Sequence, residues 1–536
     1  MRKRILQIHG LAVCLLLAMG LSTNALALNS NEEHYHLKLL GKFVFFDNIS
    51  SIDGVTINGD MSCATCHVPS TGGTGGDARV NRGQVAISGA NSATIGSLKP
   101  PTNAYATFIP PFRQLGGGPN GCGGATGFCG GNFWNGRSIG DGGDTQVGST
   151  HVILADVLGT KTEYAKYLGP TADQALNPFP NNVEQNVPDG NDHALPGSQA
   201  VCNHVKAAAY GSLYYRAWGE YLDCDTENVE VSFQRIAIAL SAYQSSTEVN
   251  SFSSKRDVAL RKELACLNAE NQEALLVRYA QDAADVVDVV APYYDASFCD
   301  QLAAEKPEAS WGKFPLVMFT DEENFGHDMF YDVPFGPGNN PNIPTAACSI
   351  CHLSDRAHAD GTGLFERYAD DAYHNIGTPK NYELTNPVPD DLKGLAGHTG
   401  NLDHRGELKA PTLRNVDKRS NARFIKAYAS NGWFKSLESI VHFYNTSRIG
   451  FPTAITFGIT ACPSSIKTES LARRYNCWPA PEVPETVAPP FLVGNLGLTA
   501  ANEAALVAYI KTLTDTVTAV PPTLDDLYAA LGDASE

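Results

Sequence analysis

The chain has 536 residues, with 39 lysines and arginines against 57 aspartates and glutamates, and a formal net charge of −18. Charged residues make up 18% and hydrophobic residues 43% of it, which excludes a disordered acidic chain and a fibrous protein. The negative charge argues against binding to nucleic acid, because a polyanion would be repelled. The length leaves room for two domains or more, and the thirteen cysteines need an explanation.

The first 27 residues are typical of a secretory signal peptide. They contain a basic start at 2–4, an apolar run over 11–21 and a small-x-small cleavage site at 25–27. The alternative is a membrane anchor, but a run of about eleven residues is shorter than the roughly 20 that a spanning helix needs, and no later segment is long enough. We therefore predict export to the periplasm or the cell surface. Cleavage would remove Cys14 and leave twelve cysteines in an oxidising compartment.

Four of these cysteines lie in two copies of a C-x-x-C-H motif. The copies are Cys63-Ala64-Thr65-Cys66-His67 and Cys348-Ser349-Ile350-Cys351-His352. In this motif two thiols one helical turn apart add to the vinyl groups of a haem, and the histidine binds the iron. A zinc site would give no role to a histidine directly after each second cysteine. We predict two covalent haem c groups, held by these four cysteines, with His67 and His352 as axial iron ligands.

The other eight cysteines form four neighbouring pairs in the sequence. Pairing of nearest neighbours is the simplest expectation, although sequence alone does not fix connectivity, and a redox-active pair is the alternative to a structural role. The expected pairs are Cys122 with Cys129, Cys202 with Cys224, Cys266 with Cys299, and Cys462 with Cys477.

Secondary-structure signals along the chain favour helices and loops. Residues 50–144 are rich in Gly and Pro, as in loops that wrap a cofactor. Apolar residues recur at helical spacing over 231–243, the segment 260–290 predicts a helix with one break, and 503–513 predicts an amphipathic helix capped by Thr499. No alternating strand pattern competes with them. We expect a mainly α protein with long loops.

The two motifs are too far apart for one small cytochrome fold, so we expect two cytochrome c-like domains with one haem each. The predicted N-terminal haem domain covers 28–255 and the predicted C-terminal haem domain covers 256–520, with a junction near 251–261. A tail over 521–536 completes the chain.

Further segments, in order around the two motifs, carry a family resemblance from about Leu40 to Asp515. They are LGKFVFFDNIS, KPPTNAY, NFWNGR, DQALNPFPNNVEQ, FSSKRD, FTDEENFGHDMFY, HNIGTPKN, LKAPTLRNV, NGWFKSLESIVHFYNT and LGLTAANEAALVAYIKTLTD. With them the chain resembles the bacterial di-haem cytochrome c peroxidase family, which includes the MauG-like enzymes that mature methylamine dehydrogenase.

The resemblance implies roles for three further residues. The N-terminal haem of the family splits peroxide, and the C-terminal haem receives electrons and passes them on. By position, Glu184 matches the distal acid/base carboxylate, Gln174 the glutamine of the same pocket, and Trp134 the tryptophan between the haems. Cleavage of an O–O bond needs a group that takes a proton from one oxygen and returns it to the other, which a carboxylate can do. A solvated loop carboxylate and a buried core tryptophan are the alternatives for Glu184 and Trp134.

Two departures from the family pattern concern the axial ligands. Many members block the first iron with a distal histidine, but no histidine lies between His67 and His151, so we expect a five-coordinate iron that needs no reductive activation. Many members bind the second iron with a methionine from Tyr-Met-His-Asn-Gly, whose methionine position is Ala429 here. Tyr428 is a candidate sixth ligand, and His398, His404 or an open site are alternatives. Without a thioether ligand the second haem should have a lower potential.

The family also commonly holds one calcium ion between its domains. Lys99 stands where the family has an Asn ligand and Ala410 where it has a Thr, although backbone carbonyls would still suit calcium. Family members are often homodimers, and nothing in these residues demands it.

We expect an exported peroxidase that reduces hydrogen peroxide with electrons from a cytochrome c or a cupredoxin. Oxidation of Trp or Tyr residues in a partner protein, as in MauG-like enzymes, is the alternative. A non-catalytic di-haem electron carrier is a third possibility and would not need Glu184 or Gln174. An oxygenase like the related rubber-cleaving di-haem proteins is a more distant one.

Overall fold

The computed structural model describes residues 34–114, 127–140, 145–188, 193–225, 227–267, 289–334, 339–447, 460–489 and 492–532. This part of the chain is mainly helical, as predicted. A first helix covers 34–46. The others are Cys63–Cys66, Pro170–Ala175, Ser198–Ala207, Ser212–Trp218, Val229–Gln244, Lys255–Ala265, Ala296–Glu305, Asp321–Tyr331, Ala396–Thr399, Leu437–Thr446, Glu469–Arg474, Ala500–Lys511 and Leu524–Leu531. Among the described residues, no helix has both the length and the apolar character that crossing a membrane requires. The predicted signal peptide lies outside the described residues.

Two predicted helices are confirmed, with their ends within three residues of the predicted positions. Val229–Gln244 covers the expected segment, and Ala500–Lys511 begins directly after the predicted cap. Thr499 accepts a hydrogen bond from the backbone of Asn502, whose side chain accepts one in return from the Thr499 backbone, so two otherwise unpaired donors are satisfied. Of the longer predicted helix, Lys255–Ala265 covers the start, and residues 268–288 lie outside the described part.

The strands of the described residues are all two residues long. They form antiparallel pairs between Arg113–Gln114 and Phe128–Cys129 and between Tyr373–His374 and Leu408–Lys409, and a parallel pair between Thr460–Ala461 and Cys477–Trp478. Short pairs of this kind fasten loops and leave the helices to form the cores.

Two large hydrophobic cores contain most of the buried side chains. The first draws mainly on residues 37–243, and the second on residues 259–513. The predicted boundary at residue 255 falls between them, and we call the chain up to that residue the N-terminal half and the remainder the C-terminal half. Part of the predicted tail forms the helix Leu524–Leu531, whose Leu527 is buried in the first core.

A close pair of helices is repeated in the two halves. A Cβ atom on Gly41 would overlap the carbonyl of Ala239, and one on Gly326 would overlap the carbonyl of Ala505. One turn later an aromatic pair follows in each half, with ring centroids 5.2 Å apart for Phe45 and Tyr243 and 5.4 Å apart for Phe330 and Tyr509. Each glycine precedes the first cysteine of its C-x-x-C-H motif by the same number of residues. The same packing therefore leads into both motifs.

Three of the four expected disulfides are confirmed. Cys202 is bonded to Cys224, Cys266 to Cys299, and Cys462 to Cys477. Cys129 is also disulfide-bonded, and its expected partner Cys122 lies outside the described residues.

Candidate active site

The first C-x-x-C-H motif forms a single helical turn. Ser62 precedes the helix Cys63–Cys66, and its backbone N–H donates to Thr65 Oγ1 at 3.0 Å, which fixes the start of the turn. The turn brings the two thiols to one side. His67 follows it, with Nδ1 3.1 Å from the carbonyl oxygen of Gly73. This hydrogen bond orients the ring and leaves Nε2 as the ligand atom for an iron.

The second motif repeats this arrangement in the other half. Residues Cys348–Ile350 form a 3₁₀ turn, and the backbone N–H of His352 donates to the Cys348 carbonyl at 3.0 Å. Nδ1 of His352 lies 3.0 Å from the carbonyl oxygen of Tyr368. The Nε2 atom of this ring is again the one left for a metal.

The residues of both motifs fit two covalently bound haems. None of their four cysteines forms a disulfide bond. Both histidines and all four cysteines line one cavity of about 970 Å³ with mostly apolar walls. Burial raises the pKa of the Cys63, Cys66 and Cys348 thiols to about 12, so these groups are neutral thiols before they are joined to a haem.

The wall of this cavity near the first motif carries a carboxylate held in place by an amide. Asn181 donates a hydrogen bond from Nδ2 to Oε1 of Glu184 at 2.9 Å. Burial raises the pKa of Glu184 above its ordinary value, and Arg137 and the Asn181 hydrogen bond oppose that rise. The negative charge of Glu184 also raises the pKa of Cys63 and Cys66, so the carboxylate lies near the first motif.

Gln174 and Arg137 line the same cavity. Gln174 is presented by the short helix Pro170–Ala175. The guanidinium of Arg137 lies 4.0 Å from the centroid of the Phe133 ring, and its charge interacts with Glu184. The sequence alone assigns no role to Arg137, although this residue ends the NFWNGR segment.

Trp134 is fixed by hydrogen bonds to both halves. Its Nε1 donates to the carbonyl of Lys99 at 2.7 Å, and its own carbonyl accepts from the backbone N–H of Lys409 at 3.0 Å. The side chain is 9% exposed and lines the cavity that both motifs share. The sequence-predicted residues Glu184, Gln174 and Trp134 are therefore brought into one cavity with the haem-binding residues.

The candidate ligands of the second iron have other polar partners. The Tyr428 hydroxyl lies 3.4 Å from Nη2 of Arg419, although the residue also lines the cavity. His398 has Nδ1 3.1 Å from the Asn135 carbonyl and Nε2 3.2 Å from Ser149 Oγ. The Nδ1 atom of His404 lies 2.8 Å from a carboxylate oxygen of Glu407. Ligation by any of the three stays a prediction, and His398 would have to give up a hydrogen bond to make it.

The residues at the expected calcium position do not fit a calcium ion. Lys99 offers an ammonium group instead of a carboxamide oxygen, and its carbonyl already accepts from Trp134. Ala410 offers no side-chain oxygen. The buried ammonium of Lys426 is close enough to Lys99 for the two charges to repel each other. Calcium prefers carboxylate, carbonyl and water oxygens, and two lysines oppose its charge.

Comparisons with known proteins find a matching family model and a related protein. The family model for di-haem cytochrome c peroxidase matches residues 36–265. The sequence is 26% identical to the methylamine utilization protein MauG of Paracoccus denitrificans over 487 residues, which cover 89% of this chain and 88% of that protein.

Two solved structures share the fold. The di-haem peroxidase BthA of Burkholderia thailandensis has a TM-score of 0.51 at 19% identity, covering 91% of this chain and 89% of that one. A variant of BthA has a TM-score of 0.53 at 20% identity, covering 92% and 89%. Residues 36–265 therefore match the di-haem cytochrome c peroxidase family, and most of the chain is similar in sequence to MauG and shares the fold of di-haem peroxidases.

Proposed function

We propose that the chain is an exported peroxidase that reduces hydrogen peroxide to water at its N-terminal haem. Each peroxide takes up two electrons and two protons and yields two water molecules. The electrons come from a cytochrome c or a cupredoxin and pass through the C-terminal haem. The observation that carries the proposal is the Glu184 carboxylate, held by Asn181 in the same cavity as Cys63, Cys66 and His67.

Glu184 moves the proton on which O–O cleavage depends. A haem held by the first motif supplies the iron that accepts peroxide and exchanges electrons with it. The Glu184 carboxylate takes the proton from one peroxide oxygen and returns it to the oxygen that leaves as water. Gln174 lines the same cavity, and its amide can donate a hydrogen bond that orients the peroxide. The charge of Arg137 opposes the rise in the pKa of Glu184 that burial causes.

Trp134 serves as the electron relay between the haems. Its ring is held by a hydrogen bond to Lys99, and its backbone is held by Lys409. Because both contacts fix the residue, its ring keeps one position in the cavity that both motifs line. His352, oriented by the Tyr368 carbonyl, would hold the iron of the second haem, which would accept electrons from the donor.

Replacement of the carboxylate tests this proposal. Glu184→Gln keeps the size of the side chain and removes the base, so we expect the reaction with peroxide to slow by about 10²–10⁴-fold. Stopped-flow absorption of the holoenzyme measures this rate. Glu163→Gln, at an exposed position, is the matched control and should react like the parent. Unchanged turnover of Glu184→Gln would refute the assigned role.

A second candidate function is favoured by Ala429. This residue stands where many family members have a methionine ligand, and a second haem without that ligand is a poor acceptor from ordinary donor cytochromes. In this second function, Trp or Tyr residues of a partner protein would supply the electrons for peroxide reduction, as in MauG-like enzymes. A donor cytochrome would not be needed. The third candidate is a non-catalytic electron carrier. Glu184 and Gln174 in the cavity argue against it, because an electron carrier would not need these two residues.

The reaction with peroxide separates these two functions. Peroxide is added to the resting holoenzyme, and its absorption spectrum is followed before and after reduced cytochrome c is supplied. Rapid, sustained oxidation of the cytochrome supports the peroxidase. A long-lived oxidised spectrum of both haems, with slow consumption of the cytochrome, supports oxidation of a protein partner.

A further inference from the structure

A buried lysine joins the two halves through backbone carbonyls. Lys426 is 4% exposed, and its Nζ donates to the carbonyls of Thr71 at 2.8 Å, Asn415 at 2.8 Å and Lys418 at 3.1 Å. Thr71 belongs to the N-terminal half, just after the first haem motif, and the other two belong to the C-terminal half. Three acceptors need three N–H donors, which the protonated ammonium has and a neutral amine lacks. The arrangement is that of a cation surrounded by carbonyl oxygens.

Two more lysines cross between the halves close to Trp134. Lys409 donates from its backbone N–H to the Trp134 carbonyl and from Nζ to the carbonyl of Gly131. Lys99 donates from its backbone N–H to the Ser430 carbonyl at 2.7 Å and accepts from Trp134 Nε1. Each lysine belongs to one half and contacts the other. All three lysines line the cavity that contains both haem motifs.

The charges around these lysines oppose a further cation. Burial lowers the pKa of Lys426 well below its ordinary value and the charge of Lys99 lowers it further, whereas Asp417 favours the charged form. Burial lowers the pKa of Lys409 to about 7, while Asp371 favours its charged form and Arg367 opposes it. A calcium ion at the expected site needs oxygen ligands, but lysine side chains stand there instead. Their positive charges would repel a divalent ion.

We propose that Lys426, assisted by Lys99 and Lys409, replaces the calcium ion of the family as the cation between the halves, so that the enzyme is independent of divalent metal. The tethered ammonium groups hold the carbonyls of the two halves together. Removal of free calcium should therefore change neither the docking of the halves nor turnover.

Calcium binding to the holoenzyme is the first test. The protein is dialysed against calcium chloride and then against metal-free buffer, and bound calcium is measured by mass spectrometry. We expect well below one ion per chain and unchanged peroxide turnover after treatment with EGTA. About one retained ion per chain, at the affinity of extracellular calcium sites or tighter, would overturn the proposal. So would a loss of turnover that added calcium restores. A failed peroxidase assay in untreated enzyme would count against the proposed function, but it would leave the calcium measurement intact.

Paired lysine substitutions are the second test. Lys426→Met removes the cation between the halves. Lys306→Met removes a buried lysine that bonds only within the C-terminal half, to Glu263 at 2.7 Å and to the Pro315 carbonyl at 2.7 Å. In calorimetry of the holoproteins we expect Lys306→Met to lower the unfolding temperature of the C-terminal half. Lys426→Met should separate the unfolding of the two halves. If Lys426→Met unfolds like the parent, the role is refuted, and if it fails to fold, the calcium measurement still decides.

Discussion

The hydrogen bond from Asn181 to Glu184 shows how one side chain sets the properties of another. The Asn181 amide donates a hydrogen bond to one oxygen of the Glu184 carboxylate. Burial raises the pKa of Glu184, and the amide lowers it by stabilising the charged form. Asn181 is therefore a positioning residue whose effect should be visible in the dependence of the reaction on pH.

Substitution of Asn181 should move that pH profile. The reaction needs Glu184 as the carboxylate, so its rate rises with pH through the pKa of this group. Asn181→Ala removes stabilisation from the carboxylate, which raises the pKa further and shifts the acid limb to higher pH. At pH values above the acid limb, the rate of the variant should stay near that of the parent. Stopped-flow measurements across pH check this, with Asn182→Ala, at the exposed neighbour, as the control. An acid limb that does not move would contradict the assignment.

Among the elements, the two close helix pairs have the tightest steric requirements. A Cβ atom on Gly326 would overlap the carbonyl of Ala505, because the helices Asp321–Tyr331 and Ala500–Lys511 approach each other at this point. We expect Gly326→Ala to lower the free energy of unfolding by about 1–3 kcal/mol, since the helices must move apart. Denaturant unfolding monitored by circular dichroism measures the change. Gly83→Ala is the control, because a Cβ there would meet only ordinary contacts. Equal stability of Gly326→Ala and Gly83→Ala would contradict the close approach.

Local patterns in the sequence predicted the elements that depend on local forces. Helical spacing of apolar residues located Val229–Gln244, and the cap at Thr499 located the start of Ala500–Lys511. The helix Leu524–Leu531 was missed, although Thr523 and Asp526 form a capping box at its start. Only the burial of Leu527 in the N-terminal core depends on a contact with distant residues. Its nearby residues gave no sign of that contact.

Some residues of the candidate site could be predicted from the sequence and others could not. The C-x-x-C-H motifs carry their own chemistry, so the haem-binding cysteines and histidines could be assigned directly. Glu184 and Trp134 needed the family resemblance. Arg137 and Lys426 were missed, because their roles depend on contacts with residues far away in the chain, Glu184 and Thr71. Spacing within the sequence cannot report such contacts.

At the scale of the whole molecule, net charge governs the encounter with a donor. The chain carries −18, and removal of the basic signal peptide would make it more acidic. We expect the second-order rate with a basic cytochrome to fall as ionic strength rises from about 0.01 to 0.15 M, over which the screening length shortens from about 30 to 8 Å. An acidic cytochrome should react slowly at low salt and faster at high salt. Steady-state assays with both donors check this. Equal salt dependence of the two would show that the net charge does not steer the encounter.

Because the same helix pair leads into each motif, equivalent positions in the two halves can be compared within one protein. Gly41 and Gly326 occupy matching positions, as do His67 and His352. A substitution at one member of a pair and then at the other compares two equivalent environments in the same polypeptide, prepared and measured together. Any difference between the paired results reports what distinguishes the halves: a carboxylate at Glu184 beside one motif, and a missing thioether at Ala429 for the other.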